Sequence, residues 1–521
     1  MNILNKNFCI ENGLIPQEKF DLPECVLQFG TGVLLRGLPD YLIDKANQQG
    51  IFNGRIVIVK STDGGDAAAF DRQDNLYTLV TKGIENGVLI EENTICSAIS
   101  RVLSAKNQWQ EVLDCAANPD LTIVISNTTE MGIQLVQDDI RQEPPTSFPG
   151  KLLAFLYARY KAFNGDKNKG LVIVPTELIV DNALKLEEIV LELAHLNALE
   201  SPFIDWLENH NAFCNSLVDR IVPGKPDAVS FQKMTEELGY EDDLLTMSEV
   251  YILWAIEGDE RIKSVLSFHQ VDKGVVIESN IEQYRELKLR LLNGVHTLSC
   301  GLAFLSDFAT VKEAMQNEVM ESYINRLMLS EIAEGMPYPI EKNVVQRFGE
   351  QVLDRFRNPY IEHRWISITM NYTSKMAARN VPTLLHYYKN VTASRALSLR
   401  GTKQTQEGVP THFALGFAAY LLFMKAVKCE KEVYYGELNG HFYPIQDDKA
   451  AYFYELWQKL SVDELVATVL KNQNLWGVDL SVLPNFNDKI LYFLNEMLKN
   501  GVFSTLDKQL VKNEQTILNS I

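Results

Sequence analysis

Lys288, Asn293 and His296 stand in the segment Glu286-Leu-Lys-Leu-Arg-Leu-Leu-Asn-Gly-Val-His-Thr-Leu-Ser-Cys300. An amine, an amide and an imidazole are set here among leucines and a valine, where burial without partners costs several kcal/mol. Each has a structural explanation alone: a snorkelling lysine, a packing asparagine, a satisfied core histidine. Together they form a proton-transfer set. A partly desolvated lysine loses its proton more readily and can serve as general acid for a ketone or general base for an alcohol. Asn293 can donate to a reacting carbonyl oxygen. His296 can orient the lysine or bond a substrate hydroxyl. At about 100° per residue, Asn293 falls about 140° and His296 about 80° from Lys288, so one broad helix face holds all three.

A second constellation lies far upstream, in Phe29-Gly30-Thr31-Gly32-Val33-Leu34-Leu35-Arg36-Gly37. It follows a strand-like run and precedes a helical one, the context of a dinucleotide-binding turn. Gly30 permits the tight turn, Gly32 lets backbone approach a pyrophosphate, and the N–H groups of Thr31, Val33 and their neighbours face the anion. The third glycine of the usual pattern is replaced by Leu35. At the end of the next strand, Lys60-Ser61-Thr62-Asp63 offers Asp63 for ribose hydroxyls or Lys60 for a 2′-phosphate. NAD(H) is the expected cofactor, and NADP(H) stays open. Asn127, just after another strand, is expected at the nicotinamide side.

The elements that must position these groups divide the chain. Val26–Phe29, Arg55–Lys60, Leu121–Ser126 and Leu171–Pro175 are short apolar or β-branched runs, separated by helical stretches such as Leu38–Ala46 with Pro39 in its first turn. This alternation predicts βαβ units and a doubly wound sheet. Beyond about residue 280 helical patterns dominate, at 281–308, 311–334, 341–357, 411–429 and 462–471, and strand signals nearly vanish. The expected fold is an α/β Rossmann-like N-terminal domain over 1–280 and a mainly α-helical C-terminal domain over 281–521.

Composition narrows the classes. Hydrophobic residues at 46% and charged residues at 22% are ordinary for a globular enzyme. A net charge of -19 offers no basic stripe for nucleic acid. The seven cysteines are scattered without a C-x-x-C pair, and no secretory leader is evident, which predicts reduced thiols in a cytoplasm. The eight histidines form no H-x-x-x-H pair, so no zinc motif and no metal site is expected. The apolar run from Phe413 to Met424 is too short to span a bilayer.

The K-x-x-x-x-N-x-x-H pattern following a G-x-G turn resembles the long-chain polyol and mannitol dehydrogenase family. Asn75-Leu-Tyr-Thr78, Asp219-Arg-Ile-Val-Pro223 and Arg355-Phe-Arg-Asn-Pro359 extend the resemblance over roughly residues 20 to 500. It implies a metal-independent, NAD(P)-dependent enzyme with Lys288 as acid/base. Asn293 and a second asparagine would polarise the reacting C–O group, with His296 beside them. In the stretch Pro175-Thr-Glu-Leu-Ile-Val-Asp-Asn182-Ala, Leu178 holds the first asparagine position of the polyol enzymes, which leaves Asn182. Ser126-Asn-Thr-Thr-Glu130, Phe148-Pro-Gly-Lys-Leu152, Pro175-Thr-Glu-Leu-Ile179 and Leu253-Trp-Ala-Ile-Glu-Gly258 resemble a branch of the family acting on ketouronates.

The lysine that polyol enzymes carry after a proline is Thr383 here, after Pro382, while Lys375 and Arg379 lie just upstream. A uronate carries a carboxylate that a polyol lacks, and a guanidinium or ammonium is its natural partner. Arg379 or Lys375 is therefore expected to bind it.

Overall fold

The computed structural model describes residues 1–61, 67–128, 132–397 and 408–518. The chain divides into two compact units, Met1–Ile281 and Glu282–Ile521.

The first unit is built on six strands: β1 Glu24–Phe29, β2 Arg55–Lys60, β3 Ile99–Ser104, β4 Ile123–Ser126, β5 Val172–Pro175 and β6 Ala212–Phe213. Their order is β3-β2-β1-β4-β5-β6, and every neighbouring pair is parallel. Winding runs one way from β1 through β3 and the other way from β4 through β6, so its direction reverses between β1 and β4. That is the doubly wound dinucleotide-binding order.

The central strands are buried on both faces, which is why they read as unbroken apolar runs. Val26, Ile56, Ile58, Ile123, Ile125 and Val174 pack into one hydrophobic cluster. Their strand neighbours Leu27, Phe29, Val57, Val59, Val124 and Ile173 pack into another. This is the period-2 alternation of a pleated strand, and each such side chain contributes about 1.5–3 kcal/mol on burial.

The helix after β1 differs from the expected one. It begins at Val33, not Leu38, and runs through a π turn, Arg36–Asp40, into α1, Tyr41–Gln48. Pro39 therefore lies inside the helix. It has no N–H to give the preceding turn, and the register widens around it. The freed carbonyls find side chains: the Tyr77 hydroxyl donates to Arg36 O at 2.7 Å, and the Arg220 guanidinium donates to Gly37 O. Tyr77 and Arg220 belong to two of the motifs that carry the family resemblance.

The second unit is helical, and the segment bearing Lys288 is not one continuous α-helix. Glu282–Leu287 is α-helical, Lys288–Gly294 is a π-helix, and α2, Val295–Leu305, follows. The wheel angles drawn at 100° per residue do not hold across the π segment. Further π-helices occur at Leu327–Ile332 and Met376–Asn380. The helical stretch expected at 411–429 stops at Phe423, as α3, Thr411–Phe423. An antiparallel meander follows, Lys428–Glu430, Val433–Leu438 and His441–Pro444. Its strands are short, charged and half-exposed, which explains why they gave no hydrophobic signal.

Candidate active site

The glycine turn lies at the carboxyl end of β1, at the point where the winding reverses. Gly30 has φ +126°, a conformation that L side chains rarely adopt. A Cβ there would meet Asn127 O and Leu35 Cδ1 at 3.0 Å. Gly32 precedes the helix and has open space where its Cβ would be. Phe148 packs on Phe29 from below, with ring centroids 5.2 Å apart. The turn therefore fits a dinucleotide: one glycine closes against β4, and the other leaves room at a helix start for a pyrophosphate. Thr31 and Val33 flank it, both partly buried. Asp63 lies outside the described residues.

Asn127 follows β4 at the same edge. Its N–H donates to Phe29 O at 3.1 Å. Its side-chain amide donates to Thr176 O at 3.1 Å and Thr176 Oγ1 at 3.0 Å. The amide oxygen is left uncommitted among the described residues. Next to it, the buried Glu177 carboxylate accepts from Thr128 N at 2.8 Å, Thr128 Oγ1 at 3.0 Å and Ser126 Oγ at 3.2 Å. Burial raises its pKa against the lowering effect of these bonds.

Asn182 is fully buried, and its polar atoms are all engaged by backbone. Its amide donates to Pro175 O, Glu177 O and Ser216 O at 3.0–3.1 Å. Its oxygen accepts from Ala183 N at 2.9 Å and Ser216 N at 3.0 Å. No donor remains for a substrate oxygen. Leu178 is exposed in the loop between β5 and Asn182.

In the second unit, the structure brings Asn293, His296, Lys375 and Arg379 into one neighbourhood. The π-helices at Lys288–Gly294 and Met376–Asn380 approach closely at Gly294, where a Cβ would meet Asn380 Oδ1 at 2.8 Å. The buried Arg290 bridges them: its Nη1 donates to Ala378 O and Arg379 O, each at 2.8 Å. Its other edge is bidentate to Glu286, at 2.9 and 3.1 Å. Between these paired residues lies Lys288, half-buried.

Arg379 Nη1 donates in return to Thr297 Oγ1 at 3.0 Å and, more loosely, to Asn293 O at 3.5 Å. Lys375 Nζ donates to Ile368 O at 3.1 Å. Burial lowers the pKa of both cations, and Arg379 adds to the effect on Lys375. Neither has a carboxylate partner among the described residues. The side-chain amide of half-buried Asn293 is likewise uncommitted among them.

His296 stacks on Phe356, with centroids 4.2 Å apart and planes at 15°, and meets His363 edge-on at 5.0 Å. Desolvation first, then His363, Arg355 and Arg379, push its pKa well below the ordinary imidazole value. It is a neutral ring at physiological pH, and its Nε2 has no partner among the described residues. Phe356 and Arg355 come from the Arg355–Pro359 motif. Sequence reading missed Arg290, Glu286, Thr297, Thr176 and Glu177. The Glu286–Arg290 spacing of i,i+4 was the one available signal.

A doubly wound sheet with a glycine turn, in one chain with a helical unit that carries a lysine–asparagine–histidine segment, is the layout of an oxidoreductase acting on CH–OH groups. The chain belongs to the mannitol dehydrogenase family: residues 24–268 match the mannitol dehydrogenase Rossmann domain and 280–498 the mannitol dehydrogenase C-terminal domain. It is 36% identical to an altronate oxidoreductase of Halalkalibacterium halodurans, over 96% of each chain. An altronate oxidoreductase of Bacillus subtilis is 37% identical, covering 94% of this chain and 96% of that protein. In structure, Pseudomonas fluorescens mannitol 2-dehydrogenase, solved with NAD and D-mannitol, superposes with a TM-score of 0.63 at 22% identity, over 98% of this chain and all of that one. A D-sorbitol dehydrogenase superposes with a TM-score of 0.70 at 17% identity, over 97% of this chain and all of that one. These two likenesses concern the fold. No helix among the described residues is long and apolar enough to cross a membrane.

Proposed function

We propose that this protein interconverts D-tagaturonate and D-altronate with NAD(H), a step of hexuronate breakdown. One observation carries the choice of a sugar acid over a neutral polyol. Lys375 and Arg379 are partly desolvated cations whose hydrogen-bond partners among the described residues are all neutral, beside the Asn293–His296 segment. Such a pair is an anion site awaiting its counter-charge. The altronate oxidoreductase relatives support the same reading.

Gly30 and Gly32 would hold the cofactor's pyrophosphate, with Thr31 and Val33 at the turn and Asn127 offering its amide oxygen at the nicotinamide side. When bound, the cofactor supplies the hydride acceptor and donor chemistry. In reduction, Lys288 delivers a proton to the keto oxygen; in oxidation, it takes the hydroxyl proton back. Asn293 donates its uncommitted amide to the oxygen as charge develops. His296, neutral, bonds a substrate hydroxyl through Nε2. Arg379, with Lys375 near it, binds the carboxylate. Asn182 is assigned to the backbone clamp at the end of β5 and takes no part in the chemistry.

The test is NADH oxidation with D-tagaturonate, run beside D-fructuronate and D-fructose and repeated with NADPH. Turnover of tagaturonate well above the other two is expected. Preference for fructose would defeat the sugar-acid reading, and preference for fructuronate would keep the chemistry but change the substrate. NADH bound without turnover of any ketose would reduce the protein to a nucleotide-binding role.

A further inference from the structure

We infer that Thr297 is a positioning residue that selects for the anionic substrate by fixing the guanidinium of Arg379. This rests on the reading of Arg379 as the carboxylate partner.

The Thr297 side chain is fully buried, one residue beyond His296. Its hydroxyl has one proton, and that proton goes to Asn293 O at 2.8 Å. The oxygen lone pairs are therefore left to face Arg379, whose Nη1 donates to Oγ1 at 3.0 Å. The hydroxyl is a one-way relay: it donates back along its own helix and can only accept from the arginine.

The backbone end of Arg379 is fixed as well. Its carbonyl accepts from Arg290 at 2.8 Å. Arg290 in turn occupies both oxygens of Glu286, which keeps that carboxylate from pairing with Arg379. A guanidinium presents five donors in a rigid plane. With Nη1 tied to Thr297, that plane is set, and the edge formed by Nε and Nη2 has no partner among the described residues. Two parallel N–H groups on one edge match the two oxygens of a carboxylate. A neutral ketose has no group that uses this edge as fully.

Thr297 touches neither the reacting carbon nor its oxygen in this arrangement. The carboxylate of a uronate is remote from the reacting centre and keeps its charge throughout, so its binding stabilises ground state and transition state alike. Loss of such an interaction raises KM and spares kcat.

The experiment measures steady-state kinetics with D-tagaturonate at saturating NADH for the wild type, Thr297→Val, Thr297→Ser and Arg379→Ala, with NADH affinity by fluorescence as a check on folding. Valine keeps the shape and removes the hydroxyl; serine keeps the hydroxyl. Thr297→Val should raise KM for tagaturonate about 10- to 100-fold, the worth of a hydrogen bond to a charged group, with a much smaller change in kcat. Thr297→Ser should return KM to within a few-fold of wild type. Arg379→Ala should raise KM at least as far as Thr297→Val. If Arg379→Ala raises KM and Thr297→Val does not, the positioning role fails and the carboxylate site stands. A kcat loss at unchanged KM, or serine no better than valine, also overturns it. If Arg379→Ala leaves KM unchanged, or the wild type is inert with tagaturonate, both inferences fall together.

Discussion

The carboxyl edge of the parallel sheet and the pair of π-helices in the second unit treat polar groups in opposite ways. At the sheet edge almost every donor and acceptor is answered from within. Thr176 takes the amide of Asn127, Glu177 takes the N–H and hydroxyl of Thr128, and Asn182 engages five backbone groups. At the π-helices, Asn293, Lys375, Arg379 and His296 keep donors or acceptors in hand. Asn182 and Asn293 make the contrast in one residue type: the first is saturated and the second has its whole amide to offer. A satisfied buried amide rigidifies its surroundings, whereas an uncommitted one still has its donors and acceptor to give. Lys288–Gly294 and Met376–Asn380 also share the wide helical register that frees carbonyls, and the arginines of each segment take carbonyls of the other.

The sharpest way to break the contrast is Lys288→Ala. Loss of a general acid–base group costs about 10² to 10⁴ in rate, so kcat for tagaturonate should fall by at least a hundredfold while NADH titration stays normal. Turnover close to wild type would remove the lysine from the chemistry.

Asn182→Ala tests the other side. Several buried backbone groups lose their partner at about 1–3 kcal/mol each, so thermal unfolding should show a loss of about 3–5 kcal/mol. Turnover per folded molecule should change little. A large kcat loss with an unchanged melting temperature would make Asn182 catalytic after all, and the contrast between the two asparagines would collapse.

Near the sheet edge one buried carboxylate is only half satisfied. Asp40, fully buried in the π turn after the glycines, accepts from Gln28 at 3.3 Å through one oxygen, and its other oxygen has no partner among the described residues. Burial pushes its pKa up to about 7. The folded protein therefore holds this proton between about pH 4 and pH 7 where the unfolded chain has released it. Asp40 favours folding at low pH, and that contribution disappears as pH rises through 7. The difference between an ordinary value near 4 and about 7 is worth at most about 4 kcal/mol. Asp40→Asn should raise the melting temperature more at about pH 8 than at about pH 4.5; an equal change at both would mean that Asp40 ionises in the fold as readily as in the unfolded chain.

The smallest effect expected is from Gly30→Ala. Holding alanine at φ +126° against Asn127 O costs about 1–3 kcal/mol. NADH affinity should weaken by about tenfold as the turn shifts, with kcat at saturating cofactor nearly retained. Unchanged affinity would take the turn away from the cofactor.

Much of the fold was legible because it rests on local rules. β1, β2, β4 and β5 announced themselves as apolar runs, since strands buried on both faces must be apolar throughout. The glycine turn showed in a pair of glycines between strand and helix. The meander at 428–444 did not show, because its alternation is masked by charge and exposure. The π segments did not show either: Pro39 looked like a helix start because proline is favoured there, and only the donors that Tyr77 and Arg220 bring to the carbonyls of Arg36 and Gly37 make an interior position tolerable. Sequence motifs such as Asn75–Thr78 and Asp219–Pro223 were visible as strings, but not as the groups that hold that turn open.

By itself the sequence determined which chemical groups are present and that three of them interrupt an apolar helix, because hydrophobic period and residue type are local properties. Only the tertiary structure decided which polar groups are used up and which remain unpartnered among the described residues. Hydrogen-bond satisfaction depends on partners distant in the chain: Arg379 meets Thr297 across 82 residues, and Asn182 meets Ser216 across 34. Their directions and distances exist only after folding.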